Sequence, residues 1–335
     1  MKRWPYYQGD IEKLHGAYAK RIQTRMAKFV VDKSVGKACR NYVADVKTLV
    51  SEGKVFVAKP KRLREIAIKF ENAYFNRCVL PKWAKRINTR LIKEVFQYEN
   101  FAKAVGNSRN EWGGVPLMEE ILKSNRYCPY CNADSIMAIR RRISRKARTR
   151  LIKAAFDHYF PQKRYPVLSM SLYNLIPSCF RCNSQLKKGD FAFALSTLSP
   201  FEVDFHNVAR FVPVIDSPSL LHEACSSKGV GVRLCACRSM DEKVVRAYDD
   251  LFRLERVYSD CYGREVLDVI HKSLVFNESY VSVLEGWFAK AGVCGVDVRR
   301  LLYGASLDPA NIDQQRLSKM TIDIHRQFSG LPKYK

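Results

Sequence analysis

The sequence predicts an α+β protein made of three segments: a mainly helical N-terminal domain (residues 1–125), a small module of two strands and a helix (126–190), and a mixed α/β C-terminal domain (191–335). Apolar residues recur every three or four positions in the first segment, which indicates amphipathic helices. Two Cys-x-x-Cys pairs bracket the second segment. In the third, clusters of β-branched and aromatic residues indicate strands between helical patterns. A chain of 335 residues has room for two or three domains.

The first segment shows the helical pattern most clearly after Asp10, where Leu14, Tyr18, Ile22 and Met26 follow at spacings of four. Three stretches of the same kind follow, with Gly53 and Pro60 before the second of these and Pro81 before the third. The predicted helices span residues 10–29, 35–50, 63–75 and 83–105.

The two cysteine pairs predict a metal centre. Cys128 and Cys131 form the first pair, Cys179 and Cys182 form the second, and 47 residues lie between the pairs. Each pair folds as a knuckle whose two thiolates face one ion, and four thiolates fill the tetrahedral shell of Zn²⁺. Because a closed shell leaves no position for water, we interpret the site as structural zinc.

Four polar residues lie between or just after these pairs: Asp157, His158, Asn174 and Asn183. Residues 151–156 are predicted to form a strand that ends at Asp157 and His158, and 171–176 a second strand that Pro177 terminates. Residues 182–188 read as a short helix. This order of elements predicts that Asp157, His158 and Asn183 lie close together.

The residues from about 125 to 190 resemble the HNH endonucleases, the ββα-metal nucleases that carry a four-cysteine zinc. The third position of the motif is Asn183 and not histidine, a substitution that many members of the family share. The resemblance implies that His158 is the general base, that Asp157 and Asn183 hold a catalytic Mg²⁺ or Mn²⁺, and that Asn174 braces the loop. It further implies a central zinc-stapled HNH module, products with a 5′ phosphate and a 3′ hydroxyl, and, by analogy with other stand-alone HNH proteins, a role in bacterial antiviral defence.

The chemistry of these side chains suits phosphodiester hydrolysis. A histidine with its ordinary pKa of about 6.5 can accept a proton at cellular pH. A carboxylate and an amide oxygen are hard donors, and Mg²⁺ needs only one or two of them besides water and substrate phosphate. The alternative is a non-catalytic zinc ribbon that binds nucleic acid, in which Asp157 and His158 are solvated surface groups.

The net charge of +25 is unevenly distributed along the chain. Residues 1–125 carry 26 Lys and Arg against 12 Asp and Glu, residues 126–190 carry 14 against 3, and residues 191–335 carry 18 of each. A concentrated basic surface beside a phosphodiesterase motif predicts a nucleic-acid partner. DNA is favoured, although RNA presents the same phosphates.

The most basic stretch runs from residue 140 to residue 153 and contains no acid. We predict that it contacts the phosphate backbone, with Lys187 and Lys188 adding contacts near the scissile bond together with Lys163 and Arg164. The alternative is a mobile basic loop that only raises local affinity. The basic residues of this stretch are Arg140, Arg141, Arg142, Arg145, Lys146, Arg148, Arg150 and Lys153.

The neutral third segment is predicted to support the module or to recruit a protein partner. Strands are expected within 201–216 and 229–234, helices at 244–259, 263–276, 279–291 and 296–303, and a final helix pair within 309–328. His222, Cys225, Cys235 and Cys237 have a spacing that could bind a second zinc, but Cys235 and Cys237 also suit two buried thiols on one strand face.

The cellular compartment is predicted to be the cytoplasm. No apolar run approaches the ~18 residues of a membrane helix, and no apolar signal core follows the N-terminus. Eleven cysteines, four of them in metal-binding pairs, suit a reducing compartment.

Overall fold

The computed structural model describes residues 1, 3–7, 9–32, 34–75, 79–104, 112–142, 149–188, 190–217, 229–293 and 295–329, with no side-chain description for 139–142 and 149–153. The predicted α+β class is confirmed: helices predominate, and three two-stranded antiparallel sheets lie within these residues. None of the helices seen here has both the length and the apolar composition that a bilayer crossing requires.

Thirteen α-helices are found in the parts of the chain that the structure describes, together with short 3₁₀ and π segments. They are α1 (Asp10–Lys28), α2 (Lys37–Glu52), α3 (Pro60–Ala73), α4 (Lys82–Arg90), α5 (Tyr98–Lys103), α6 (Gly114–Leu122), α7 (Phe191–Ser196), α8 (Phe205–Val208), α9 (Glu242–Phe252), α10 (Leu254–Val275), α11 (Glu278–Lys290), α12 (Val298–Tyr303) and α13 (Ser318–Phe328).

The apolar spacing of the first helices sets which face they bury. In α1 the buried residues are His15, Ala19, Ile22 and Met26, which recur every three or four positions and so line one side of the helix. The sequence pattern placed Leu14 on the buried face, but Leu14 is exposed and His15 is buried instead. The first predicted helix is therefore confirmed: Ile22 and Met26 are buried as the stripe predicts, and only its first two positions are replaced, by His15 and Ala19.

The predicted single helix at 83–105 is wrong. The chain forms α4, continues through a π-helical segment (Leu91–Phe96), turns at Gln97 in a left-handed conformation (φ 47°) and resumes as α5. A left-handed residue cannot continue a right-handed helix, so Gln97 separates the two. Neither glycine nor proline marks this break, and the sequence pattern could not show it.

Six strands pair in sequence order: β1 (Ala138–Arg142) with β2 (Thr149–Lys153), β3 (Ala155–His158) with β4 (Leu175–Ser178), and β5 (Ala209–Ile215) with β6 (Val230–Ala236). The predicted strand at 151–156 is thus two strands of different sheets, with Ala154 between them. The second predicted strand begins later than expected, since Leu172–Asn174 is a 3₁₀ turn. Pro177 lies inside β4 opposite Phe156, which a two-stranded sheet tolerates because one edge of each strand is unpaired.

The chain forms two compact units. The N-terminal unit comprises Trp4–Ser124 and Ile136–Glu202, and the C-terminal unit comprises Val203–Lys335 with Met1–Arg3 and Asn125–Ser135. The N-terminal unit therefore contains both the helical segment and the β3–β4 motif. These units differ from the three segments delimited by sequence, and the division into three functional domains stays a prediction.

The C-terminal unit is built around the β5–β6 hairpin, on which α10 and α13 pack. Gly231 of β6 lies so close to α10 that a Cβ atom there would meet the Ser259 hydroxyl at 2.6 Å. The hydroxyl of Ser259 accepts a hydrogen bond from the Val232 amide, which fixes the hairpin against the helix. The strand predictions for this region are confirmed with shifted ends.

Candidate active site and metal centre

The four predicted zinc ligands come together. The sulfur atoms of Cys128, Cys131, Cys179 and Cys182 all lie within 4.8 Å of one another, and all four residues are buried. Four thiolates around one Zn²⁺ stand about 3.8 Å apart, because Zn–S bonds are about 2.3 Å long and tetrahedral. The cluster therefore fits a four-coordinate structural metal, and it is the one such group within the described residues.

Local backbone geometry shapes each knuckle. The amide of Cys128 donates to the Asp134 carbonyl, and Asn132 turns the chain with a left-handed φ of 52°, which asparagine tolerates well. In the second knuckle the Cys182 amide donates to Sγ of Cys179 at 3.5 Å. Amide donors stabilise thiolate charge, so the turn of the second knuckle suits metal-bound sulfur.

The first knuckle is held by the C-terminal unit, to which it belongs. Tyr130 stacks on Phe252 with ring centroids 4.6 Å apart, and the Tyr258 hydroxyl donates to the Cys131 carbonyl at 2.6 Å. The side-chain amide of Asn132 donates to the Ile312 carbonyl at 2.8 Å. The contacts of Tyr130, Cys131 and Asn132 thus fix the first knuckle within the C-terminal unit.

The strand–loop–strand–helix order predicted for the motif is present. β3 ends at Asp157 and His158, which pair in register with Ile176 and Leu175 of β4. A π-helical segment, Arg181–Lys187, follows β4 and is called the motif helix below. It packs against β3, so its side chains reach the strand end that carries Asp157 and His158.

Lys187 connects the motif helix to this strand end. Its ammonium donates to Oδ1 of Asp157 at 2.9 Å, to the His158 carbonyl at 2.9 Å and to the Tyr159 carbonyl at 3.1 Å. Lys187 is 1 % exposed and Asp157 is 3 % exposed. The prediction that Lys187 contacts nucleic acid is wrong, because its three donors are used inside the protein and no phosphate can reach it. Asp157 correspondingly lies in the interior and not on a solvated face.

His158 is held in one tautomer. Its Nε2 lies 3.1 Å from the Ser169 carbonyl oxygen. A carbonyl only accepts hydrogen bonds, so Nε2 carries the proton and the neutral ring presents its lone pair at Nδ1. Burial lowers the pKa of His158 to about 4, although the nearby Asp157 carboxylate opposes this. The imidazole is therefore an uncharged base at neutral pH.

The ring of Tyr98, from α5, packs edge-on against the imidazole of His158 with centroids 4.3 Å apart. Burial raises the pKa of the Tyr98 hydroxyl, and the Asp157 charge adds to this rise. The phenol stays protonated at any physiological pH and restrains the histidine ring from one side. Nothing in the pattern around Tyr98 indicated this role, because it lies 60 positions away in a helix with an ordinary apolar stripe.

Asn174 braces the loop as the resemblance implied. Its Oδ1 accepts from the Phe160 amide at 2.7 Å, and its Nδ2 donates to the carbonyls of Phe160 at 3.1 Å and Leu168 at 2.8 Å. Asn174 is fully buried. The side chain thus fastens both ends of the loop that joins β3 to β4.

Asn183 lies on the motif helix one turn before Lys187 and is half-buried. The backbone amide of Asn183 donates to the Cys179 carbonyl at 3.0 Å, so the second knuckle fixes the backbone at this position. Residues four apart lie on nearly the same side of a helix, and Lys187 of this helix contacts Asp157. The carboxylate of Asp157 and the amide of Asn183 are oxygen donors that suit a hard divalent cation.

The other expected phosphate contacts divide into buried, exposed and undescribed residues. Arg164 is buried and donates through Nε and a terminal nitrogen to the two carboxylate oxygens of Glu71 at 2.6 and 2.7 Å. It therefore cannot contact substrate, and that expectation is wrong. Lys188 is exposed at the end of the motif helix. For Arg140, Arg141, Arg142, Arg150 and Lys153 the structure describes the backbone of β1 and β2 only, and Arg145, Lys146 and Arg148 lie outside the described residues.

A second zinc site stays untested. His222 and Cys225 lie outside the described residues. Cys235 is half-buried and Cys237 is exposed at the end of β6.

Comparison of the chain with models of protein families, with curated proteins and with solved structures gives no match.

Proposed function

We propose that this protein is a metal-dependent endonuclease of the HNH type that hydrolyses phosphodiester bonds in nucleic acid. The observation that carries the proposal is the state of His158. It stands at the end of β3 beside Asp157, its Nε2–H is committed to the Ser169 carbonyl, and its pKa is lowered to about 4. Such an imidazole presents an unprotonated Nδ1 that can take a proton from water.

The roles of the remaining residues follow from their positions. His158 would accept the proton of the attacking water at Nδ1. Asp157 and Asn183 would hold a divalent metal, which supplies charge to the phosphoryl oxygens and to the leaving 3′ oxygen when it is bound. Lys187 keeps the Asp157 carboxylate in place, and Asn174 keeps the loop closed behind the histidine. The four cysteines would bind a structural zinc.

The proposed substrate is DNA, with RNA as the second polyanion to be tested. The excess positive charge of residues 1–190 supports this, as does the lysine at the exposed end of the motif helix, Lys188. By the same resemblance we propose a cytoplasmic protein of bacterial antiviral defence. Exposed apolar side chains on α11, among them Val283 and Trp287, support a protein partner for the C-terminal unit.

The test uses the full chain with labelled DNA and RNA, each in Mg²⁺, Mn²⁺ or EDTA. His158→Ala should lower the cleavage rate by ~10²–10⁴-fold, because a general base is lost, while zinc content and DNA binding stay at wild-type levels. His271→Ala, in α10, is the matched control and should cut normally. If His158→Ala cuts at the wild-type rate in a preparation free of contaminating nuclease, the proposed mechanism is wrong.

The metal ligands need a different substitution. Either change of Asp157 removes the counterion of the buried Lys187 ammonium, but Asp157→Asn keeps an oxygen that can accept from Lys187, whereas Asp157→Ala does not. Asp157→Asn is therefore the variant of choice, and its folding is checked by circular dichroism. Asp157→Asn and Asn183→Ala should lose activity at low Mg²⁺ or Mn²⁺ and regain part of it at high concentration, because mass action offsets weakened binding. The His158→Ala defect should not respond to metal.

The basic stretch is tested through salt. Replacing Arg140, Arg141 and Arg142 together should weaken binding to all sequences alike and flatten the dependence of affinity on salt concentration, because fewer counterions are released. Equal salt slopes for the variant and the wild type would remove this stretch from the binding surface.

The alternative function is a non-catalytic zinc protein that binds nucleic acid, which the four-cysteine cluster also fits. The two functions differ in one measurement. The alternative predicts salt-dependent binding with no metal-dependent cleavage of DNA or RNA, and no change of any activity in the His158→Ala variant.

A further inference from the structure

Three consecutive carbonyl groups behind the proposed base each accept a hydrogen bond from a different side chain. The Leu168 carbonyl accepts from Asn174 Nδ2 at 2.8 Å, the Ser169 carbonyl from His158 Nε2 at 3.1 Å, and the Met170 carbonyl from His15 Nε2 at 2.7 Å. We call residues 168–170 the carbonyl row. The motif resemblance accounts for Asn174 and His158 but not for His15, which lies on α1.

His15 is a second histidine held in a single tautomer. The indole Nε1 of Trp112 donates to its Nδ1 at 3.1 Å, so Nδ1 has no proton and Nε2 must carry it. His15 is 1 % exposed, and burial lowers its pKa to about 4. Its ring also packs edge-on against Phe101, with centroids 5.7 Å apart. Trp112, His15 and the Met170 carbonyl thus form one directed chain of hydrogen bonds.

Water cannot reach the carbonyl row, so it cannot replace a side-chain donor that is lost. Ser169 and Met170 are completely buried. The row begins at the last residue of the 3₁₀ turn Pro166–Leu168, and the Ser169 hydroxyl donates to the Pro166 carbonyl at 2.6 Å. A buried carbonyl without a donor is unfavourable, so the peptide turns until it finds one. The Met170 carbonyl, which accepts from His15, and the Ser169 carbonyl, which accepts from His158, belong to consecutive peptide groups. Rotation of the Met170 carbonyl would therefore also change the direction of the Ser169 carbonyl.

We infer that His15, oriented by Trp112, is a positioning residue for His158: it holds the carbonyl row so that Ser169 keeps His158 in the Nε2–H tautomer with Nδ1 directed to substrate. The inference rests on the proposed function for its catalytic consequence. The structural part of the inference is that His15 controls the tautomer of His158 through consecutive peptide groups. This part does not depend on any activity. It also gives α1 a role in the site that neither charge nor the motif assigns.

Two substitutions at residue 15 separate hydrogen bonding from packing. His15→Gln places an amide donor near the position of Nε2, whereas His15→Leu fills similar space without a donor. With the substrate that the wild type cuts, His15→Leu should lower kcat by about tenfold with KM changed less than twofold, since a poorly oriented base slows the chemical step more than binding. His15→Gln should recover most of that loss.

The second readout is the tautomer itself. The full-length protein is labelled with ¹⁵N at histidine, long-range ¹H–¹⁵N correlations are recorded near neutral pH, and the His158 signals are assigned by their loss in His158→Ala. Wild type and His15→Gln should show His158 in the Nε2–H form alone, and His15→Leu should show a mixture of tautomers or exchange-broadened signals. If His15→Leu keeps a single Nε2–H signal for His158 and the wild-type kcat, the inference is overturned.

Failure of the proposed function gives a different result. If no preparation cleaves DNA or RNA, wild type included, the nuclease is refuted, and the spectra alone support or overturn the positioning role. Should His15→Leu not fold, Trp112→Phe removes the donor to Nδ1 and leaves His15 in place. It should then loosen the tautomers of both histidines, and an unchanged His158 signal in Trp112→Phe would overturn the inference.

Discussion

Removing the charge of Glu71 from its buried pair with Arg164 should cost several times more stability than breaking a surface ion pair of the same helix. Both oxygens of the Glu71 carboxylate accept from the Arg164 guanidinium, at 2.6 and 2.7 Å, and the Tyr165 hydroxyl donates to Oε1 at 2.7 Å. Glu71 is 3 % exposed and Arg164 is 7 % exposed. The pair fastens the loop between β3 and β4 to α3, so a substitution there tests both stability and the site.

The magnitude follows from burial. Glu71→Gln keeps the size of the side chain but removes its charge, which leaves the Arg164 guanidinium buried without a counterion. Breaking a buried pair in this way costs about 3–5 kcal/mol, and a typical domain has only ~5–15 kcal/mol of stability. Exposed pairs contribute ~0–1 kcal/mol. Glu65 of α3 forms such a pair with Arg62, with side chains about half-exposed, so Glu65→Gln is the matched control.

The assay is urea unfolding of the full chain followed by circular dichroism, with midpoints compared at equal slope. Glu71→Gln should lower the free energy of unfolding by at least ~3 kcal/mol and Glu65→Gln by less than ~0.5 kcal/mol. The double variant Glu71→Leu with Arg164→Met should lose less than Glu71→Gln, because no uncompensated charge remains. A Glu71→Gln loss below ~1 kcal/mol would refute the reasoning, since it would mean that water reaches Arg164.

Three further expectations concern metal, a buried lysine and pH. Cys179→Ser should release about one zinc per chain, measured by atomic emission, and lower the melting temperature; unchanged zinc would place the metal elsewhere. Lys187→Met should destabilise the protein by ~3–5 kcal/mol because the Asp157 carboxylate is left buried, whereas Lys188→Met at the exposed neighbouring position should change stability by less than ~0.5 kcal/mol. The pKa of His15 is about 4 in the folded protein and about 6.5 when unfolded, so the unfolded chain binds the extra proton between these values. Unfolding free energy should therefore decrease as pH falls from ~6.5 to ~4, by up to about 3 kcal/mol from this residue, and the decrease should be smaller in His15→Gln; equal slopes would contradict the burial of His15.

Sequence patterns were informative where a local rule dictates the structure. The apolar spacing after Asp10 predicted α1, and Cys128 with Cys179 predicted a four-cysteine cluster, since each knuckle is a short-range turn. The bracing role of Asn174 came from the family resemblance and not from a local rule, and its hydrogen bonds to Phe160 agree with that role. The break at Gln97 could not be predicted, because a left-handed glutamine has no sequence signature.

The sequence could not show which charged residues pair with each other over long separations along the chain. Lysine and arginine are ordinarily exposed, so Lys187 and Arg164 were assigned to the nucleic-acid surface. The residues that make them buried, Asp157 and Glu71, lie 30 and 93 positions away. Only the folded chain shows that these cations complete the interior of the site and do not add to its surface charge.

The buried charges around the β3–β4 loop bear on how the site is built. Apolar residues of similar volume often replace a buried ion pair with no loss of stability, so stability alone does not explain the pairs Asp157–Lys187 and Glu71–Arg164. Apolar residues cannot form hydrogen bonds, so they cannot fix the orientation of a carbonyl group. The ammonium of Lys187 joins one carboxylate to the carbonyls of His158 and Tyr159, and Asn88 donates to the carbonyls of Lys163 and Arg164 at 3.0 Å each. These bonds fix the peptides that follow His158 in orientation as well as position, which is what a base that must present Nδ1 to a water molecule requires.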